Sequence, residues 1–343
     1  MSATTPGLVC AHHHLYSALA RGMPAPPGTP RRFREILELV WWRLDRALDL
    51  DTIFHSARLG ALEALERGTT CIIDHHESPN AIEGSLDAIA AGCAEVGVRV
   101  DTCYGVTDRH GPGGAAAGLA ENERYLRAGG RGRVGIHAAF TCEASTLEAA
   151  AGLAADLDVG VHVHVAEGVD DVTAGERLAP LATDDWLLVH CVHLDRDLPG
   201  TIAHNPRSNM HNAVGYAAPA RRPNRIVLGT DGIGGDMLDE FRVAFVRHRE
   251  DDVEATPETA WSWLRAGAEL FPEALDDRVT WGYEPADDPW HLAYSPGVSP
   301  RRVEVDGRVL VDEGVVVSVD PDEIRATARE AAQRLFARLE EIE

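Results

Sequence analysis

Histidines and acids recur directly after short apolar stretches, the positions at which a parallel α/β protein presents its chemistry. The first such group is His12-His13-His14. In a strand, residues two apart face the same side, so His12 and His14 can chelate one cation while His13 points away. Neutral imidazole suits Zn²⁺ and related transition ions. Taken alone, the pair is also compatible with a packed, histidine-rich strand edge, so the interpretation depends on the residues that accompany it.

A second pair of histidines is followed by an acid. In the stretch HVHVAE, a strand runs into a loop and places Glu167 three residues beyond the candidate ligand His164. A bound cation lowers the pKa of its water to roughly 7, and a carboxylate within reach can take that proton and pass it on. His162 lies one layer deeper, where we expect a hydrogen-bonded role in the core. Glu167 is therefore the candidate proton carrier.

Two later strand ends add a histidine and an acid. His190 directly follows apolar strand residues, which places it better than His193 for a site at the strand end. In the stretch LGTDG, small residues let the chain turn and leave the carboxylate of Asp231 projecting. An Asp-Gly pair alone is usually just a turn, so the functional interpretation of Asp231 rests on strand order.

Eight short β-branched stretches, separated by helical ones, would bring these residues together. The predicted strands are residues 8–10, 70–74, 99–104, 135–138, 160–165, 186–191, 201–204 and 225–229. The predicted helices are residues 33–47, 52–67, 85–96, 116–128, 146–157, 238–249 and 257–270. This alternation predicts a (β/α)₈ TIM barrel, in which the C-terminal strand ends open onto one face. The connection between the sixth and seventh strands, which includes residues 196–200, is short, so we expect the sixth helix to be reduced to a turn.

Composition shifts near Leu275, which predicts a barrel over residues 1–275 and a C-terminal extension over residues 276–343. In the extension, Asp306-Gly307 accepts the positive φ angles of a tight turn and predicts a hairpin, a remnant of a small β-domain. Asp320-Pro321 then predicts the start of a terminal helix. One face of that helix is apolar and comprises Ile324, Ala328, Ala331, Leu335 and Leu339.

Composition also excludes several functions. All 32 basic residues are arginine, so a Schiff-base lysine, a P-loop lysine and a carbamylated lysine that bridges two metals are impossible. A net charge of −23 disfavours nucleic acids and anionic membranes as partners. There is no 18-residue apolar run and no signal-like N-terminus, which predicts a cytoplasmic protein. The six cysteines form no C-x-x-C pair, and we expect buried, reduced thiols.

At these residues the sequence resembles the amidohydrolase superfamily, in the branch of guanine, adenosine-type, cytosine and triazine deaminases, and especially SsnA-type aminohydrolases. The resemblance covers residues 6 to 237, in the order found in the family. The matching stretches are PGLVCAHHHLYSALARG, ERGTTCIIDHHESPNAIEGSL, GIHAAFTCEASTL, VHVHVAEG, LLVHCVHLD, AHNPRSNMHNAVG and VLGTDGIGGDM.

The resemblance implies one divalent cation, with Zn²⁺ expected first and Fe²⁺ or Co²⁺ left open. Its implied ligands are His12, His14, His164 and Asp231. It also implies catalytic roles for Glu167 as proton shuttle, for His190 in orienting the attacking hydroxide or the substrate oxygen, and for Asp231 in expelling the leaving group. Substrate contacts are predicted for His76, His137, Asn205 and Asn209. A homodimer is a further expectation from the family.

The predicted function is hydrolytic deamination of a small purine-, pyrimidine- or triazine-like heterocycle, by metal-bound hydroxide with a glutamate shuttle. The same site also suits ring opening or dechlorination, which ammonia release would distinguish. A noncatalytic metal-binding homologue is a third hypothesis, which the presence of Glu167 argues against. The chain begins almost at the first barrel strand, so we expect the N-terminal strands of the small β-domain to be absent. Residues 303–317 must then pair elsewhere or stand as a hairpin.

Overall fold

A computed structural model describes residues 3–232 and 234–342 and contains the eight parallel strands of the predicted barrel. Numbered after a two-residue strand β1 (Thr4–Thr5), the barrel strands are β2 (Leu8–His13), β3 (Thr69–His76), β4 (Arg99–Tyr104), β5 (Val134–Ala138), β6 (Val161–Val165), β7 (Leu187–His190), β8 (Thr201–His204) and β9 (Ile226–Leu228). Each lies within or overlaps a predicted strand. The (β/α)₈ prediction is confirmed.

The barrel wall consists of two parallel sheets, β2-β3-β4 and β5-β6-β7-β8-β9, and backbone hydrogen bonds close both seams between them. At one seam, Val106 N donates to Gly135 O at 3.1 Å. At the other, Asp231 N donates to His12 O at 3.1 Å, and His14 N donates to Asp231 O at 3.3 Å. The second seam therefore passes through three residues predicted to bind the cation.

Helices cover the outside of the barrel, and all seven predicted ones are present. The helices are α1 (Phe33–Ile36), α2 (Trp42–Ala47), α3 (Leu50–Leu65), α4 (Ser85–Val96), α5 (Gly111–Arg127), α6 (Ala144–Asp156), α7 (Ala174–Leu178), α8 (Pro206–His211), α9 (Met237–Asp251), α10 (Pro257–Leu270), α11 (Pro289–Ala293) and α12 (Pro321–Glu340). A π-helical turn, Leu37–Trp41, joins α1 to α2, so residues 33–47 form one wall segment. Residues 191–200 link β7 to β8 without a helix, as expected.

The C-terminal extension adds an antiparallel sheet in the order β1-β10-β11-β12-β13, with β10 (Arg278–Trp281), β11 (Pro300–Val305), β12 (Arg308–Asp312) and β13 (Val315–Val316). The hairpin is confirmed, but it does not stand alone. Thr4 pairs with Thr280 across β1 and β10, so residues before the barrel supply an edge strand. The expectation that no N-terminal strand joins this sheet was wrong, because β1 is too short to show a periodic pattern.

Helix α12 braces the barrel from outside. Asp320 caps it by accepting hydrogen bonds from Asp322 N at 3.0 Å and Glu323 N at 3.1 Å. The predicted apolar face is buried and packs mainly on α3. Fully burying side chains such as Leu335 and Leu339 stabilises the fold by roughly 2 kcal/mol each. The extension is therefore held against the helical layer that surrounds the barrel.

The interior of the barrel is a packed apolar core rather than a channel. Small and branched side chains from β2, β3, β7, β8 and β9 fill the end opposite the candidate site: Val9, Ala11, Ile73, Val189, Ala203 and Val227. All six cysteines are buried and unpaired, as predicted. Among the described residues, no helix combines the length and the apolar character needed to cross a membrane. The histidines and acids that were predicted to do chemistry lie at the other end of the strands, beyond this apolar core.

Candidate metal centre and active-site cavity

The side chains at the end of β2 divide as strand alternation predicts. His12 and His14 turn toward the barrel axis, whereas His13 faces the other way. His13 Nδ1 bonds the backbone oxygen of Asp231 and lies 3.2 Å from Thr230 Oγ1. His13 therefore ties the first barrel strand to the last, and it leaves its two neighbours free to converge.

Four predicted ligands meet at one point. His14 Nε2 lies 3.0 Å from Asp231 Oδ1 and 3.2 Å from His164 Nε2. His12 Nε2 lies 3.4 Å from the same Asp231 oxygen. His190, which was predicted for catalysis and not as a ligand, belongs to the same cluster: its Nε2 is 3.9 Å from Asp231 Oδ2, and the ligand atoms of His12, His164, His190 and Asp231 all lie within 4.8 Å of one another. The ring of His14 forms a second such group with His75 and His164. Strands that are far apart in sequence thus deliver one cluster.

This cluster fits a divalent transition metal. The Nε2 atoms of His12 and His190 are buried and make no hydrogen bond to the described part of the chain. Buried polar atoms are nearly always paired, so these nitrogens indicate a missing electrophilic partner. Imidazole nitrogens with one carboxylate are the donor set of catalytic zinc sites, which keep a position open for water.

The opposite ring nitrogen of each histidine ligand is held in place. His14 Nδ1 lies 2.6 Å from His75 O, and His164 Nδ1 lies 2.7 Å from His137 O. Each of these contacts fixes the ring so that Nε2 faces the cluster. His12 Nδ1 instead contacts His162 Nε2 at 2.9 Å. His162 thus has a hydrogen-bonded role in the core, as expected.

The electrostatics of the cluster also favour a cation. Burial alone would raise the pKa of Asp231, but the close approach of His12 and His14 and the charges of His14 and His190 together outweigh burial and hold this pKa well below the usual range. Burial likewise disfavours a charged His14, yet the hydrogen bond and negative charge of Asp231, the backbone oxygen of His75 and the charge of Asp74 together prevail and raise the pKa of His14 to about 9. The site therefore stabilises positive charge, and a bound divalent cation would displace the second proton from the His14 ring.

Three strand ends adopt the left-handed backbone conformation without glycine. The φ angles are 47° at Ala166, 69° at His190 and 56° at Asp231. Such residues are uncommon and cluster at functional sites, where the surrounding structure imposes the conformation. Gly229 lies two residues before Asp231, and a Cβ at this position would lie only 2.8 Å from His12 Cβ, so a larger residue does not fit there. These local constraints place the carboxylate at the cluster.

Glu167 lies beside the cluster. Its Oε2 is 3.3 Å from His190 Nε2, and its Oε1 accepts a hydrogen bond from Asn212 Nδ2 at 3.3 Å. Burial, and then the negative charge of Asp231, raise the pKa of Glu167 well above its usual range. A carboxyl group with a raised pKa can both accept and donate a proton near neutral pH.

The structure places three of the four predicted substrate residues outside the cavity lining. Asn209 Oδ1 lies 2.7 Å from His190 Nδ1, and Asn205 Nδ2 lies 3.5 Å from the same atom, so both support His190 from behind. His76 Nε2 bonds Ser78 Oγ at 2.8 Å. Strand alternation turns His76 away from the barrel interior. Of the four, His137 alone lines the cavity.

A cavity of about 230 Å³ opens from the ligand cluster. The wall segment, residues 33–47, supplies one side of it through Phe33, Ile36, Leu37, Trp41 and Trp42, and Phe140 faces it as well. The π-helical turn within this segment is typical of functional sites. Flat, apolar walls with a few polar groups are the usual construction of a small-molecule site.

Sequence reasoning missed a second polar group in this cavity, formed by Asp45 and Glu77. Arg109 Nη2 bonds Glu77 Oε2 and lies 3.5 Å from Asp45 Oδ2. Burial raises the pKa of Asp45 to about 6 and that of Glu77 to about 8, although Arg109 opposes both shifts. Glu77 follows the DHH stretch at the end of β3, and this position could have identified it. Asp171, which also lines the cavity, was missed too.

Comparison with known proteins finds deaminases among the relatives. The chain is 30% identical to 5′-deoxyadenosine deaminase of Methanopyrus kandleri, over 96% of this chain and 86% of that protein. It is 29% identical to 5-methylthioadenosine/S-adenosylhomocysteine deaminase of Desulforudis audaxviator, over 97% of this chain and 86% of that protein.

Solved structures share the fold. The adenosine deaminase of Xanthomonas campestris with bound zinc superposes with a TM-score of 0.81 at 21% identity, covering 97% of this chain and 86% of that one. The zinc complex of atrazine chlorohydrolase from Arthrobacter aurescens gives 0.72 at 21% identity, covering 96% and 88%. The amidohydrolase family profile matches residues 3–266. The chain therefore belongs to the amidohydrolase family and is a hydrolase that acts on carbon–nitrogen bonds.

Proposed function

We propose that this protein deaminates an amino-substituted nitrogen heterocycle by hydrolysis, with purine nucleosides as the first compounds to test. One observation carries the proposal. The buried carboxyl group of Glu167 lies beside the ligand cluster, at the end of a cavity whose walls are flat and apolar. The relatives that are named as deaminases of adenosine-type compounds support the choice of purines.

We assign one divalent cation to His12, His14, His164 and Asp231, with zinc expected first. Bound there, the cation would act as a Lewis acid and lower the pKa of a water molecule. Iron and cobalt suit the same donors, and supply often decides between such metals.

Glu167 is the group that moves protons. Water adds its oxygen to the ring carbon that bears the amino group, and Glu167 carries the first water proton to the adjacent ring nitrogen. The second water proton reaches the amino nitrogen through Glu167 or Asp231, and the amino group leaves as ammonia. The raised pKa of Glu167 suits both transfers near neutral pH.

His190 and the cavity walls position the reactants. Asn209 holds the Nδ1 side of His190, so that Nε2 faces both Glu167 and Asp231 and can orient the new oxygen. Trp41, Trp42 and Phe140 offer faces on which a planar ring can stack. A homodimer and a cytoplasmic location stay predictions.

The test is ammonia release by the zinc-loaded chain from adenosine, 5′-deoxyadenosine, cytosine, guanine and melamine. We expect turnover of at least one, and we expect Glu167→Gln to keep one equivalent of metal while kcat falls by about 10³-fold. Glu254→Gln, an exposed change of the same kind, is the matched control. Full activity of Glu167→Gln would refute the assignment. Chloride release from a chlorotriazine without ammonia from any amine would favour dechlorination instead.

A further inference from the structure

The second ligand group of the cluster includes a histidine outside the assigned ligand set. One ring nitrogen each of His14, His75 and His164 lies within 4.8 Å of the others. His75 lies near the end of β3, the strand that pairs with the one carrying His14. Its side chain is fully buried, and its ring centre is 4.6 Å from that of His164 and 5.5 Å from that of His14. His75 therefore packs directly on two ligand rings.

The hydrogen bonds of these rings indicate which nitrogens can bind a cation. A backbone oxygen only accepts hydrogen bonds, so in a neutral ring the nitrogen beside it carries the proton. His14 Nδ1 faces His75 O, which leaves a lone pair on His14 Nε2. His164 Nδ1 faces His137 O, which leaves one on His164 Nε2. The two Nε2 atoms are 3.2 Å apart, and their lone pairs repel each other unless a cation binds both.

His75 carries a free lone pair for the same reason. Its Nε2 lies 3.1 Å from Ile136 O, so Nε2 carries the proton and Nδ1 carries the lone pair. Nδ1 is buried and makes no hydrogen bond to the described residues, as is also true of Nε2 in His12 and in His190. A buried acceptor without a partner is costly, and a bound cation removes that cost.

The ring of His75 does not hold another ligand in place. His75 reaches His14 through its backbone oxygen, and within residues 3–232 and 234–342 its ring forms a conventional hydrogen bond only to Ile136 O. Gly105 makes room for this ring, because a Cβ at that position would overlap His75 Cε1. One hydrogen bond and one packing contact thus fix the ring, while Nδ1 stays free.

We propose that His75 is a fifth protein ligand of the cation, beside the assigned set of His12, His14, His164 and Asp231. The inference rests on the proposed function for the presence of the cation, but not for the reaction. A catalytic metal site keeps a position open for water, so five protein donors and one water give the cation six ligands.

Two replacements of His75 separate binding of the cation from support of the fold. His75→Ala removes the ring, whereas His75→Gln keeps an N–H donor for Ile136 O and removes the imidazole nitrogen. We expect both to lower zinc affinity about 100-fold in competition with a chelator, because one of five donors is lost. The matched control is His76→Gln, at the next position of the strand. His76 faces outward and bonds Ser78 Oγ, so its replacement should leave the affinity unchanged.

Proton NMR of the Co²⁺-substituted protein counts the bound histidines. Paramagnetic Co²⁺ strongly shifts the exchangeable N–H signal of each imidazole that it binds, and a ring that only packs beside the site gives no such signal. We expect His75→Gln to lose one shifted signal relative to the wild type, whereas His76→Gln should lose none. This measurement does not depend on catalytic activity.

Wild-type zinc affinity in His75→Gln, or retention of every shifted N–H signal in this variant, would overturn the assignment of His75. A wild-type chain that binds no zinc would refute the cation proposed for the cluster and this fifth ligand with it. Zinc binding that depends on His75, without ammonia release from any amine, would support the fifth ligand while it refutes deamination. The two proposals can therefore fail separately.

Discussion

Asp74 links the loop that follows β2, directly after His12 and His14, to the neighbouring strands β3 and β4, and its replacement tests how this ligand loop is held. Asp74 is fully buried at the end of β3. Its Oδ1 accepts a hydrogen bond from Leu15 N at 2.7 Å, directly after the His-x-His pair, and its Oδ2 accepts one from Thr102 Oγ1 at 2.8 Å. We expect Asp74→Ala to loosen this loop.

The size of the effect follows from the groups left unpaired. Without Asp74, the Leu15 N–H is buried with no acceptor, which costs roughly 1–3 kcal/mol, and the bond to Thr102 is lost as well. We expect a total of about 3 kcal/mol. Asp74→Asn keeps an acceptor for Leu15, and its amide can donate to Thr102. Burial already raises the pKa of Asp74 to about 6, so loss of the charge matters less and about 1 kcal/mol is expected.

Urea unfolding of the protein after its metal has been removed with a chelator measures these free energies of unfolding without a contribution from bound metal. Competition with a chelator then measures zinc affinity, which we expect to fall 10- to 100-fold in Asp74→Ala because the loop that holds His14 shifts. Asp156→Ala, on the exposed end of α6, should change stability by less than about 0.5 kcal/mol. If Asp74→Ala also stays within about 0.5 kcal/mol of the wild type, or equals Asp74→Asn, the reasoning is refuted.

Three other perturbations probe different parts of the structure. Asn209→Ala removes the partner of His190 Nδ1 and should lower kcat about 10- to 100-fold while the metal content stays at one equivalent; metal loss would contradict this positioning role. Burial raises the pKa of Asp171 to about 7, so the folded state holds a proton that the unfolded chain releases, and stability should fall as pH rises from about 4 to 7. Asp171→Asn should flatten that slope in urea midpoints measured across this range, and an unchanged slope would contradict it. Leu335→Ala should cost about 3 kcal/mol by urea unfolding, whereas the exposed Arg329→Ala should cost little, and equal effects would contradict the packing of α12.

The barrel and the ligand cluster could be predicted because both follow from local pattern. Strand alternation decides that His12 and His14 share a side and that His13 does not. The barrel fold then brings His164 and Asp231 to the same face, although 67 positions, from 164 to 231, separate them. The structure places all four together.

The substrate residues could not be predicted in the same way. Being near a strand end does not say which way a side chain turns. His76 faces outward because His75, one position earlier, faces in. Asn205 and Asn209 lie near the site, and the structure places both beside His190 Nδ1 and outside the cavity lining. A motif that borders the site therefore does not distinguish residues that support His190 from residues that line the cavity.

The cavity walls were missed because they depend on contacts between distant segments. Residues 33–47 were predicted only as a helix, and nothing in their spacing indicates that Asp45 would meet Arg109. Strand β1 escaped prediction for a related reason, since two residues show no periodicity and its pairing with β10 depends on the folded extension.

Contacts with the C-terminal helix also hold one wall of the cavity in place. Arg43, on the wall segment, donates from Nη2 to Leu339 O at 3.1 Å and to Ile342 O at 2.9 Å. The segment that carries Trp42 and Asp45 is therefore anchored to the last residues of the chain, while the ligand cluster is built from barrel strand ends alone. Because the two parts rest on different supports, the shape of the cavity can change without moving the ligands.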